Sequence, residues 1–99
     1  MNDFEIFQTE KSKVMNEVYT ALIKVIGFTK KFGTYDVRAC KKASQKLRNL
    51  KFSYGNLLDF ADYLCNISKY FTIEENKELI SHAGRKLYGF TRTYEMLLL

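Results

Sequence analysis

Few side chains here have the types and spacing for chemistry, and their arrangement argues against catalysis. His82 is the single histidine, so neither a two-histidine metal site nor a histidine-based proton relay can form. Its place between Ile80 and Ala83 predicts a partly buried, neutral imidazole. Cys40 and Cys65 are the two cysteines. Their spacing fits no zinc motif, and with one histidine they cannot complete a structural zinc site. Both are expected to be reduced core thiols on apolar helix faces. If they face each other across adjacent helices, the contact is packing and not a disulfide. Asp59, Asp62 and Glu78 could approach across the third and fourth helices, but carboxylates without a histidine partner do not make a di-metal bundle site. The chain has no G-x-S-x-G elbow and no glycine-rich phosphate loop. The expectation is a binding module: no enzyme, no cofactor, no metal.

Charge is unevenly spread. Between Thr34 and Ser53 stand six basic residues, Arg38, Lys41, Lys42, Lys46, Arg48 and Lys51, opposed only by Asp36. That segment carries +5, the net charge of the whole chain. Arg38, Lys41, Lys42 and Lys46 fall off the apolar stripe of their helix and form a basic face. The plainest reading is a solvated face that keeps the protein soluble. A second is attraction to an anionic membrane surface or to acidic cytoplasmic loops of a membrane protein. A third, a small regulatory or nucleic-acid-binding bundle, is the least supported. There is no helix-turn-helix spacing and no exposed aromatic interleaving, so no nucleic acid is expected.

The elements that must position these residues follow from composition and periodicity. Ninety-nine residues make one domain, 1–99. A chain of 11.6 kDa buries roughly 65% of its unfolded surface, enough for a modest core. At 46% apolar and 15% aromatic residues it is too hydrophobic to be disordered. No apolar run is long enough to span a membrane. The acidic start, Met1-Asn2-Asp3-Phe4-Glu5, lacks the apolar stretch of a signal peptide. A cytoplasmic protein is expected, with possible peripheral placement at the inner membrane face.

Four amphipathic helices are predicted, over 10–26, 34–50, 53–68 and 72–88. The first buries Val14, Val18, Ala21, Leu22 and Val25, widened by Tyr19 and Ile26. In the link 27–33, Phe28 and Phe32 are expected to fold under as a satellite of the core. The second, capped by Thr34, buries Val37, Cys40, Ala43, Leu47 and Leu50. The third, from Ser53, buries Leu57, Leu58, Ala61, Leu64 and Cys65. Short links predict an all-α fold, an antiparallel up-down-up-down four-helix bundle with a short C-terminal tail. Gly89 reads as the final C-cap. Gly84 lies inside the fourth helix, where glycine costs about 1 kcal/mol against alanine. Close approach of another helix or of the tail would offset that cost. The tail, 89–99, ends in Met96-Leu97-Leu98-Leu99. It either packs back on the bundle or belongs to a binding surface.

The most informative stretch is 71–88, F-T-I-E-E-N-K-E-L-I-S-H-A-G-R-K-L-Y. Thr72 followed by Glu75 reads as a capping box. Phe71 and Asn76 stand at the hydrophobic-staple positions, but Asn76 is polar and the staple fails. Ile73, Leu79, Ile80, Ala83 and Leu87 recur at helical spacing. The run Y-F-T-x-E-E-x-x-x-L-I-x-x-x-G-R, together with K-V-M-N-E-V-Y-T-A-L at 13–22, resembles the immunity proteins of class IIa (pediocin-like) bacteriocins, in particular the enterocin A immunity type. The resemblance covers about 13–89 in order and helix spacing. It implies a cytosolic four-helix bundle and a protective role. In such proteins, the bacteriocin-engaged membrane components of the mannose phosphotransferase system are recognised from the cytoplasmic side and the leak is blocked. The C-terminal half largely sets which bacteriocin is resisted. Carried onto this chain, that implies partner contacts from Lys77, Arg85, Lys86, Tyr88, Phe90, Arg92, Tyr94 and Met96. The alternative for Tyr88 and Phe90 is that they only close the end of the bundle. Some relatives carry a longer polar tail, whereas this chain ends in three leucines.

Overall fold

The computed structural model describes residues 2–29 and 34–99. Among them the fold is all-helical, with four long helices and one short one: α1 (Asp3–Phe28), α2 (Tyr35–Arg48), α3 (Tyr54–Ser68), α4 (Glu74–Thr93) and α5 (Glu95–Leu98). The molecule is a rod of 46 × 22 × 22 Å. Its long axis is set by α1, since 26 residues rise about 39 Å at 1.5 Å each. No described helix is long and apolar enough to cross a membrane.

The first helix starts earlier than the predicted Glu10. The side chain of Asn2 accepts the Glu5 N–H at 2.8 Å, which caps the helix, and Asp3 and Glu5 suit the positive end of its dipole. The apolar stripe also continues back from Val14 by seven residues to Phe7, which is buried. At the other end Phe28 is 77% exposed. It lies one turn past Val25, the last buried residue of α1, and so is no satellite of the core. Phe32 lies outside the described residues.

The core joins all four long helices. Val18, Leu22 and Val25 of α1 are fully buried, as are Cys40 and Ala43 of α2, Leu57 and Leu64 of α3, and Ile80 and Leu87 of α4. Phe60 and Ile67 widen the α3 stripe beyond the predicted set, while Leu58 is only half-buried. Tyr19 and Ile73, both assigned to apolar stripes, are about 40% exposed. Helix α4 packs on α3 and on α1, and α1 also packs on α2, whereas α2 and α3 touch sparingly.

Gly84 shows why a glycine sits inside a helix. A Cβ there would lie 2.7 Å from the Cys65 Sγ, 3.1 Å from the Ala61 carbonyl oxygen and 3.2 Å from the Leu64 Cβ. The close approach is therefore that of α3. Gly84→Ala is expected to destabilise the fold by about 1–3 kcal/mol despite the better helix propensity of alanine. Chemical denaturation checks it, and pairing the change with Cys65→Ala should recover part of the loss. The Cys65 thiol donates to the Ser81 carbonyl on α4 at 3.9 Å, and both cysteines are free.

Helix α4 runs through Gly89 instead of stopping there. Leu87 before it and Phe90 and Thr91 after it are buried, and the Thr91 hydroxyl donates to the Leu87 carbonyl at 2.8 Å. Burial on both sides outweighs one exposed glycine. The start of α4 departs from the capping-box expectation as well. Ile73 occupies the cap position and makes no side-chain cap bond. The cap comes from α2. The fully buried Asp36 carboxylate accepts the Thr72 N–H at 2.9 Å and the Thr72 hydroxyl at 3.2 Å. It also accepts the Ile73 N–H at 3.2 Å and the Asn76 amide at 3.0 Å. That amide donates to the Thr29 hydroxyl at 3.0 Å as well. The carboxylate thus ties the start of α2 to the start of α4, and Asn76 extends the network to the end of α1.

Candidate partner-binding face

The opposite end of α4 carries most of the residues that the resemblance points to. At about 100° per residue, Lys77, Arg85, Tyr88 and Arg92 fall within roughly 80° of one another, and Lys86 stands on the far side. The contacts agree. The Arg92 guanidinium donates to the Tyr54 hydroxyl at the start of α3, at 2.7 Å, while the Lys86 ammonium meets Glu17 of α1 at 3.1 Å. Arg85 and Tyr88 are exposed between these anchors, Tyr88 by 48%. Lys77 is half-buried and pairs with Glu74 at 3.8 Å, one helical turn away.

Phe90 and Tyr94 do not belong to that open face. Phe90 is buried and stacks on Phe7 at 5.7 Å between ring centroids. Tyr94 meets Phe7 edge-on at 5.5 Å and Phe90 at 5.0 Å. The three rings form an aromatic plug joining the start of α1 to the end of α4. Of the alternatives for Phe90, closing the end of the bundle is the one the packing supports, because a ring held between two others has no surface left for a partner. Tyr88 stays outside.

The tail is divided. Leu98 packs against the core, but Met96 is 83% exposed and Leu97 and Leu99 are also open. Arg92 pairs with Glu95 at 3.7 Å. The Glu95 carboxylate in turn retains the Tyr54 phenolic proton and raises its pKa, burial adding to the effect and Arg92 opposing it. Arg92 is thus a tether between α3, α4 and α5 as well as an exposed cation.

His82 is exposed, not partly buried as its neighbours suggested. It lies two residues from Ile80, about 200° around the helix, and borders a shallow surface hollow with Glu74, Glu78 and Arg85. Asp59, Asp62 and Glu78 do not gather. Among the described residues no group of three or more His, Cys, Asp or Glu could hold a metal ion. Burial, and secondarily the Asp36 charge, push the Cys40 thiol up to about 12. Burial likewise raises Cys65, with Asp62 adding to it and Arg85 and Lys69 opposing it. Little thiolate exists at neutral pH, so Cys40 in the native protein is expected to react with thiol reagents at least about tenfold more slowly than after unfolding. Timed alkylation read by mass spectrometry checks this.

On α2, Arg38, Lys41, Lys42 and Lys46 are all exposed. They spread over roughly 140° of the helix. The Lys46 ammonium lies 5.0 Å from the ring centroid of Tyr63 on α3. The Lys42 and Lys46 side of the basic face thereby borders a cleft left where α2 and α3 touch sparingly. The sequence had no signal for that cleft, which depends on the spacing of two helices.

No protein-family model, curated protein or solved structure compared with this chain matches it.

Proposed function

We propose that this protein is an immunity protein of the class IIa bacteriocin type, acting by binding and not by catalysis. In this reading it is an antiparallel up-down-up-down four-helix bundle at the cytoplasmic face of the membrane. It engages mannose phosphotransferase membrane components that already hold a bacteriocin, and blocks the leak. The observation that carries the reading is the outer face of α4, where exposed Arg85 and Tyr88 lead on to an open apolar tail with Met96 at its tip. Arginine, tyrosine and methionine are the residue types that interface centres favour. The motif resemblance over 70–85, which singled out these residues, supplies the identity of the partner.

The test is survival of a sensitive Gram-positive host that expresses the chain, challenged with a panel of class IIa bacteriocins. Protection against one or a few is the expected result. Sensitivity to all of them, with soluble folded protein confirmed, would overturn it. Arg85→Glu is expected to lower the protective titre at least about tenfold, a contact loss of about 1.4 kcal/mol or more, with an unchanged unfolding midpoint. Met96→Glu should act likewise, because Met96 is 83% exposed, whereas deleting 96–99 would also remove Leu98 from the core. Deleting 90–99 would remove the aromatic plug and confuse folding with recognition.

A further inference from the structure

The cleft between α2 and α3 is a hollow of about 750 Å³, an open groove and not an enclosed cavity. Lys42, Lys46 and Lys51 line it, with Asp59 the only acid; Phe60 and Tyr63 form its apolar wall. Phe60 is 4% exposed and stacks on Tyr63 at 6.0 Å between centroids. No ion pair to Lys42, Lys46 or Lys51 is present among the described residues. Lys42 and Lys46 stand four residues apart, one above the other on one side of α2.

We infer that this groove docks an acidic amphipathic helical segment of a partner protein, with carboxylates at i and i+4 meeting Lys42 and Lys46 and apolar side chains between them reaching Tyr63. Charge complementarity names the occupant: three cations against one anion line the groove. Shape excludes the other anionic surfaces. A bilayer is flat and would reach the lysine rim while leaving the recessed Phe60–Tyr63 wall uncovered. An enclosed pocket is needed to bury most of a small ligand, and this groove is open along its length. A helix laid into a groove between two others uses both features, as helix-in-groove recognition does elsewhere. The inference concerns α2 and α3 and stands apart from the immunity reading, which rests on α4 and the tail.

The test is selection of displayed random peptides of about 15 residues, four helical turns, on the immobilised full chain. Lys42→Glu/Lys46→Glu protein serves as the counter-selecting surface. The expected result is enrichment of sequences with carboxylates at i, i+4 spacing and apolar residues between them. The best peptide should lose at least about tenfold in affinity on the double variant, and its amide shift changes should centre on Lys46, Phe60 and Tyr63. Enrichment of no such pattern, or equal binding to the double variant, would overturn the inference. So would saturable binding of phosphatidylglycerol vesicles or inorganic phosphate that displaces the peptide without shifting Phe60 or Tyr63. Both lysines are exposed, so the variant should fold; coincident far-UV spectra and unfolding midpoints establish that it does.

Discussion

Asp36→Ala is expected to destabilise the protein by about 3 kcal/mol, because four bonds to a buried charged acceptor are lost. Thr72 and Ile73 would lose the acceptor for their backbone N–H groups, and Asn76 would retain only Thr29. Alanine supplies no acceptor; the Asn76 amide is buried, while the Thr72 and Ile73 N–H groups are part-buried and partly open to water. Stability of a domain this size is about 5–15 kcal/mol, so the loss is a large share. Asp36→Asn keeps one acceptor oxygen but turns an amide toward other donors. It should cost about 2 kcal/mol. Urea denaturation of the three proteins gives both values, and a loss below about 1 kcal/mol for alanine would mean that the donors find other partners.

The same site predicts a pH dependence. Burial is the largest single influence on the Asp36 carboxyl and raises its pKa. The bonds from the Thr72 N–H, the Asn76 amide, the Ile73 N–H and the Thr72 hydroxyl together outweigh it, so the carboxyl lies below its usual value. The native state therefore holds this proton less tightly than the unfolded chain does. The stabilisation is fully present above the unfolded carboxylate value near about 3.9 and is lost as pH falls through the lower native value. In Asp36→Asn that part of the acid loss should vanish. Denaturation midpoints measured from about pH 6 down to about pH 2.5 separate the two proteins. Parallel curves would show that other carboxylates dominate acid unfolding.

Phe7→Ala is the second large effect, expected at about 3–4 kcal/mol from the lost ring and the cavity it leaves. Its ring touches Phe90 and Tyr94 and, on the outer side, Phe4 at 6.3 Å. Removal should do more than destabilise. Tyr94 sits at the junction of α4 and α5, and with Phe7 gone the short helix is anchored by Leu98, the Phe90–Tyr94 contact, the Arg92–Glu95 pair and the Tyr54–Glu95 contact. Amide exchange over 94–99 should therefore speed up more than exchange over α2. Equal acceleration across the molecule would place the plug in the global unfolding unit and not in local docking of the tail.

Much of the core was legible in the chain because burial follows helical periodicity. Val14, Val18, Ala21, Leu22 and Val25 line one face of α1, and Val37, Cys40 and Ala43 one face of α2, as apolar spacing of three and four residues requires. The cap at Thr34 was legible too, since its hydroxyl accepts the Val37 N–H three residues on; the start near Ser53 was legible, and its hydroxyl caps α3. The proposed interface was legible only as residue types. Periodicity groups Lys77, Arg85, Tyr88 and Arg92, but it could not tell that Phe90 and Tyr94 turn inward to meet Phe7, which lies more than 80 residues earlier.

What the sequence by itself determined is local: helix type, helix faces, the Thr34 cap and the position of the basic stretch. These depend on neighbours within four residues, and such interactions are written directly in the order of side chains. Tertiary structure alone decided where the lone acid of the basic stretch goes. Asp36 reads as an ordinary first-turn carboxylate of α2, yet it caps α4, some 36 residues away. It also decided that Gly84 makes room for α3 and that α2 and α3 part to form a groove. Each is a long-range event, set by how whole helices seat on a shared core, and no local spacing encodes it.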